Sequence, residues 1–296
     1  MLSYLDNNRV EILTPEVLPL AISPTHLHFR SYVARSKRSP PSAQPGLGHL
    51  TLGLIMDASH LTELIELEDT YWWHVAKRQL VVDLLARYFP QPGRLVEGGI
   101  GSARNLIEFR KLGYDVAGLD IMPESVEHAH SRGLANCQLH DLTQPWPFDA
   151  ETTQVVVLLD VLEHLSDPVG TLEHIHHILQ PGGGVILTVP AHPWMYGDWD
   201  KSLGHYRRYH RQELEDHCRT AGFHIERLSF WNGFTFPAAV AVRGKERLTG
   251  RTNSAEFPRV GRMVNSGLQM MASAERWWLK RFPAPCGLSY FAVLRK

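Results

Sequence analysis

The chain has 296 residues, 44% of them hydrophobic, with 30 basic and 31 acidic side chains and a formal net charge of -1. That is ample apolar material for a sizeable core. It lacks the basic excess of a dedicated nucleic-acid binder, and no apolar run reaches the roughly 18 residues that a membrane span needs. Three widely spaced cysteines, Cys137, Cys218 and Cys286, show no CxxC pattern and read as reduced thiols of a cytoplasmic protein.

Residues 1–55 read as a poorly ordered extension. Their best apolar run, 13–22, is broken by Pro15, Glu16 and Pro19, and residues 30–48 combine Arg30, Arg35, Lys37 and Arg38 with three prolines and no acid. A transit sequence is the rival reading, opposed by Asp6, Glu11 and Glu16. Met56 opens the first convincing helical pattern, and residues 56–92 are expected to form N-terminal helices. Ser59 is the expected cap, Leu61, Leu64 and Ile65 follow helical spacing, and Tyr71-Trp72-Trp73 interrupts. A second helix is expected to run to about Tyr88 and stop before Pro90 and Pro92.

From residue 93 the pattern alternates. Strands are predicted at 94–98, 115–120, 137–141, 153–160, 185–190, 224–231 and 288–294. Helices are predicted at 103–112, from Pro123 to Gly133, from Asp167-Pro168 to Gln180-Pro181-Gly182, and at 212–221. This order predicts an α/β fold: a doubly wound, seven-stranded, mostly parallel sheet, with its core at 93–231 and 287–296. Residues 232–286 break the alternation and are expected to form an inserted helical lid. Its stripe Leu268, Met271, Ala274 and Trp278 either shapes that lid or packs on the sheet.

In such sheets, ligands bind beyond the carboxyl ends of the strands. Four acids fall there: Glu97, Asp120, Asp141 and Asp160. The first opens the turn Glu97-Gly98-Gly99-Ile100-Gly101-Ser102, whose glycines let a ligand approach the backbone. A dinucleotide fingerprint would need a third glycine where Arg104 stands, which weakens a nicotinamide-dependent oxidoreductase.

These residues in this order resemble the class I S-adenosylmethionine-dependent methyltransferases, a Rossmann-like family whose first motif is [D/E]xGxGxG. Glu97, Gly99 and Gly101 match it, Ala103 departs at the last glycine, and Gly98 replaces a usually larger apolar residue. The resemblance implies S-adenosylmethionine as cofactor. It also implies that Asp120 holds the ribose hydroxyls, Ile121 covers an adenine face, and Asp141 with Leu142 frames the adenine amino group. Asp160-Val161-Leu162-Glu163-His164 resembles the fourth-strand motif. A narrower likeness, to a bacterial branch assigned generically to small molecules, rests on Tyr71-Trp72-Trp73 with Lys77-Arg78, on Asp200, and on Gly204-His205-Tyr206-Arg207-Arg208-Tyr209. It implies that Tyr71 and Trp72 cover the cofactor and that Arg78 pairs with its carboxylate. Core packing for the aromatics and solvent for the arginine are the plain alternatives.

Methyl transfer from a sulfonium is an in-line displacement that needs alignment and exclusion of water, plus a base only where the acceptor loses a proton. His205 is the candidate base or acceptor-orienting group and Asp200 its positioning partner. Arg207 or Arg208 is expected to grip an anionic acceptor, with Tyr209 beside them. The alternative is a structural loop whose arginines pair with carboxylates. No metal is expected: His174, His176 and His177 read as a helix surface, not a zinc pattern. The expected partner is a small-molecule acceptor, bulky or anionic, and not nucleic acid. A catalytically silent nucleoside-binding protein is the second functional reading.

Overall fold

The computed structural model describes residues 58–249 and 259–296. The expected extension 1–55 and the start at Met56 lie outside the described residues. Two helices lead: α1 (Ala58–Leu67) and α2 (Trp72–Tyr88). Then come β1 (Arg94–Gly98), α3 (Arg104–Lys111), β2 (Asp115–Asp120), α4 (Pro123–Ser131), β3 (Cys137–Leu139), β4 (Thr153–Leu159) and α5 (Pro168–Ile178). The second half holds β5 (Leu179–Pro190), α6 (Asp198–Ser202), α7 (Arg211–Thr220), β6 (His224–Trp231), α8 (Phe236–Thr249), α9 (Arg262–Leu279) and β7 (Ser289–Arg295).

The seven strands form one sheet in the order β3-β2-β1-β4-β5-β7-β6. Strands β1 to β5 pair in parallel, while β7 runs antiparallel to β5 and β6. The apolar, β-branched run of β4 suits a centre covered on both faces: Val155, Val156, Val157 and Leu158 are all fully buried. One face packs on Leu172, Ile175 and Leu214 of α5 and α7; the other packs on Leu80, Leu85, Leu106 and Phe109 of α2 and α3. Neighbours β1 and β4 run to opposite halves of the sheet, so a crevice opens beyond their carboxyl ends, which is the usual ligand position in such folds. No helix among the described residues is long and apolar enough to cross a membrane.

Several local expectations need correction. Helix α1 begins at Ala58, so Ser59 lies inside its first turn and is not the cap. Strand β3 stops at Leu139. Asp141 lies beyond it, with Oδ1 accepting the Thr143 amide at 2.9 Å and the Thr143 hydroxyl at 2.8 Å, a side-chain turn that replaces further ladder pairing. Strand β5 starts six residues earlier than expected, at Leu179. Gln180-Pro181-Gly182 looks like a turn, but it sits in a register shift: Leu179 pairs with Thr153 and Gly184 with Val155, and Gly182 adopts a left-handed φ of 76°.

Within 232–286, α9 lies along α2 through Arg276 and Lys280, which reach Asp83 at 2.9 and 3.1 Å. Ala272 and Leu279 are its buried residues. Met271, Ala274 and Trp278 instead line an open apolar groove of about 400 Å³ with Phe234 and Cys286. Leu268, the fourth residue of that stripe, is half-buried.

Candidate cofactor and acceptor site

The glycine turn after β1 is held in place by the acid that ends β2. Asp120 accepts the Gly101 amide at 3.0 Å on one carboxylate oxygen and the Met122 amide at 2.9 Å on the other. Burial raises its pKa, and these backbone N–H groups pull the other way. Gly99 sits at φ 73°, and a Cβ there would stand 2.7 Å from Val161, so the turn tolerates little else. Gly98 also has no spare room: a Cβ would meet Leu158 at 2.8 Å and Trp146 at 2.9 Å. Those large neighbours occupy the space its missing side chain leaves. Ile121 is 48% exposed beside Asp120, while Leu142 is buried.

Below the turn, Glu97 is buried and accepts Asn105 Nδ2 at 2.8 Å on one oxygen. Burial pushes it up to about 8, against the pull of Asn105 and Lys77. Asp160 ends β4 in left-handed backbone at φ 56°. Burial disfavours its charge, but Lys77 Nζ at 2.7 Å and the Thr188 hydroxyl at 2.8 Å hold its pKa below the ordinary range.

Arg78 is placed differently from the role expected for it. Its guanidinium donates to the Glu68 carbonyl at 2.9 Å and lies 3.6 Å from Asp69, at the carboxyl end of α1. Lys77, one residue earlier, instead pairs with Asp160 beyond the end of β4. Tyr71 and Trp72 are buried, and the Trp72 ring meets Phe234 edge-on at 5.6 Å. Helix α1 lies over the glycine turn: Leu64 would be 2.9 Å from a Cβ on Gly101. Glu68–Arg132 at 2.5 Å and Asp69–Arg104 at 2.6 Å fasten α1 to the sheet's helices.

The second half of the site lies beyond β4 and β5. Asp200 is fully buried. Its oxygens meet Arg208 Nε at 2.7 Å, His205 Nδ1 at 3.1 Å, the Gly197 amide at 2.9 Å and Arg243 at 3.5 Å. Burial opposes its charge, but His205 and Arg208 bring its pKa below the ordinary range. His205 is thus oriented by Asp200, as expected from the sequence. Arg208 is committed to Asp200, and Arg207 donates to the Ser166 carbonyl at 3.2 Å, so neither guanidinium is presented whole to an acceptor. Tyr209 is a core residue rather than a site group: fully buried, with its hydroxyl near the Leu162 carbonyl and its pKa raised by burial.

Sequence reasoning singled out neither Lys77's pairing with Asp160 nor Arg243, which reaches Asp200 from the insertion. It read Glu163 and His164 as part of the fourth-strand motif, with capping or bracing of the loop after β4 as the plain alternative. In the fold, the His164 ring meets the His205 ring edge-on at 4.6 Å. His174 is only partly covered and His177 exposed on α5, as expected for a helix surface.

A family model described as a methyltransferase domain matches residues 72–228, more than half of the chain. The chain belongs to this methyltransferase family. A ubiquinone biosynthesis O-methyltransferase of Xylella fastidiosa is 26% identical over 196 residues, which cover 58% of this chain and 75% of that enzyme. An S-adenosylmethionine-dependent methyltransferase from Archaeoglobus fulgidus shares the fold with a TM-score of 0.51 at 17% identity, covering 81% of this chain and all of that one. Phosphoethanolamine N-methyltransferase 2 of Haemonchus contortus, solved with S-adenosyl-L-methionine, aligns with a TM-score of 0.53 at 16% identity over 80% of this chain and 57% of its own. Membership of a methyltransferase family sets the nicotinamide alternative aside.

Proposed function

We propose that this methyltransferase binds S-adenosylmethionine across the carboxyl ends of β1 and β2 and passes its methyl group to a hydroxyl of a small molecule held beyond β4 and β5. One observation carries the reading. A glycine turn tied to Asp120 and a buried Asp200–His205 pair lie beyond neighbouring strands of one sheet, on either side of Asp160. Asp120 accepts the Gly101 amide on one oxygen and the Met122 amide on the other, and a ribose diol would meet the same carboxylate at the end of β2. Ile121 and Asp141 flank the expected adenine position. Lys77 with Asp160, more than Arg78, is the charged pair nearest the methionine end.

An oxygen acceptor is favoured by the relatives named as O-methyltransferases and by His205, whose ring Asp200 orients to take a hydroxyl proton as the methyl moves. The apolar groove beside α9 supports a bulky acceptor, and 232–286 is read as its lid. We place the enzyme in the cytoplasm, in keeping with three free thiols, and do not assign it nucleic acid. The test is single-turnover transfer of a labelled methyl group to acceptors found by mass spectrometry in extracts. His205→Ala is expected to slow it about 10²–10⁴-fold; an unchanged rate eliminates the base.

A further inference from the structure

Directly beyond β4, a short 3₁₀ turn (Leu162–His164) sets Glu163 beside His164, and His205 arrives from the loop after α6. Glu163 is fully buried, and neither of its carboxylate oxygens has a hydrogen-bond partner. One ligand atom from each of Glu163, His164 and His205 lies within 4.8 Å of the other two. A buried carboxyl group with no partner is costly, and a fold keeps one where something else completes it.

We propose that Glu163, His164 and His205 form a binding site for a divalent transition-metal ion beside the methyl-transfer centre. Two imidazoles and one carboxylate are the donor set of zinc, iron(II) and related ions, and three protein ligands leave a position open for a further oxygen. The imidazoles are suited to it. The His164 ring stands edge-on to the His205 ring at 4.6 Å. His205 Nδ1 is engaged by Asp200, which also meets Arg208, Arg243 and the Gly197 amide, so Nε2 is the ring nitrogen left for an ion. A carboxylate that orients a ligating histidine in this way is a recurrent support for metal sites. Glu163 supplies the carboxylate oxygen of the set from a fully buried position.

The consequence for chemistry rests on the oxygen-acceptor reading above. An acceptor hydroxyl in the open position loses its proton to water, its oxygen forms the new bond to the methyl carbon, and the carbon–sulfur bond breaks to leave a neutral thioether. With the ion bound, His205 orients the acceptor through it; in the ion-free protein His205 takes the hydroxyl proton as proposed above. Ion binding is independent of which acceptor is used.

The experiment strips the full chain with chelator and titrates Zn²⁺ against a competing fluorescent indicator, with Glu163→Gln in parallel. The amide keeps the size and shape of the carboxyl group, so the variant keeps its fold. Surface histidines contribute equally to both proteins. The wild type is expected to take up one ion. Glu163→Gln is expected to weaken that uptake by roughly 100-fold or more, and Asp200→Asn by about 10–100-fold. Equal uptake by wild type and Glu163→Gln, with methyl transfer unchanged in chelator, overturns the site and leaves His205 as a base intact.

Discussion

At the β1–β2 end of the site, side chains meet backbone: Asp120 takes two amides, Asp141 takes the Thr143 amide, and the glycines hold left-handed turns. At the β4–β5 end, ionisable side chains meet one another: Asp200 with Arg208, Arg243 and His205, and Glu163 beside His164. The first end is made from partners a few residues apart or on adjacent strands. The second depends on groups that only the finished fold brings together. Binding a cofactor common to a whole family suits the first; recognising an individual acceptor suits the second. Damage at the second end should therefore cost stability as well as activity, while damage at the first should act mainly on cofactor affinity.

The largest effect is expected from Asp200→Ala. It leaves Arg208 buried without its anion, a loss of about 3–5 kcal/mol, readable as a shift in the urea midpoint at unchanged slope. If Asp200→Ala keeps wild-type stability, the second end is not held by its charge network. Next comes Gly99→Ala, which forces a Cβ into left-handed backbone and against Val161. About 1–3 kcal/mol and most of the cofactor affinity should be lost, with calorimetric titration separating the two.

The smallest effect is a pH dependence that divides the two ends. Glu97 sits at about 8 in the fold against 4.5 ordinarily, so above the lower value the folded chain keeps a proton that the unfolded chain releases. Its contribution to stability is whole below about 4.5 and is lost as pH rises toward 8. His164, at about 4 against 6.5, acts in the opposite sense but only below 6.5. Between these limits, pH 6.5 to 8, stability should fall as pH rises, and Glu97→Gln should fall less than wild type in paired urea titrations. Equal slopes would show that Glu97 is ionised in the fold.

The same contrast governs what the sequence discloses. Alternating strands and helices, the acids at strand ends and the glycine turn are visible because each depends on neighbours in the chain. Asp200 beside His205 is visible for that reason too. Leu64 over Gly101 and Arg243 against Asp200 are not, because no local pattern announces which helix will cover which loop. The start of β5 is hidden because Gln180-Pro181-Gly182 has turn chemistry and spends it on a strand irregularity. Tyr209 looked like a site residue by its neighbours, and burial alone shows that it belongs to the core.

The most direct measurement is a crystal structure with the demethylated product, S-adenosylhomocysteine. The account predicts its ribose hydroxyls on the Asp120 carboxylate, its adenine against Ile121, and its sulfur facing Asp160 and His205. A nucleoside seated in the α9 groove, with Asp120 still bound only to backbone, would contradict it.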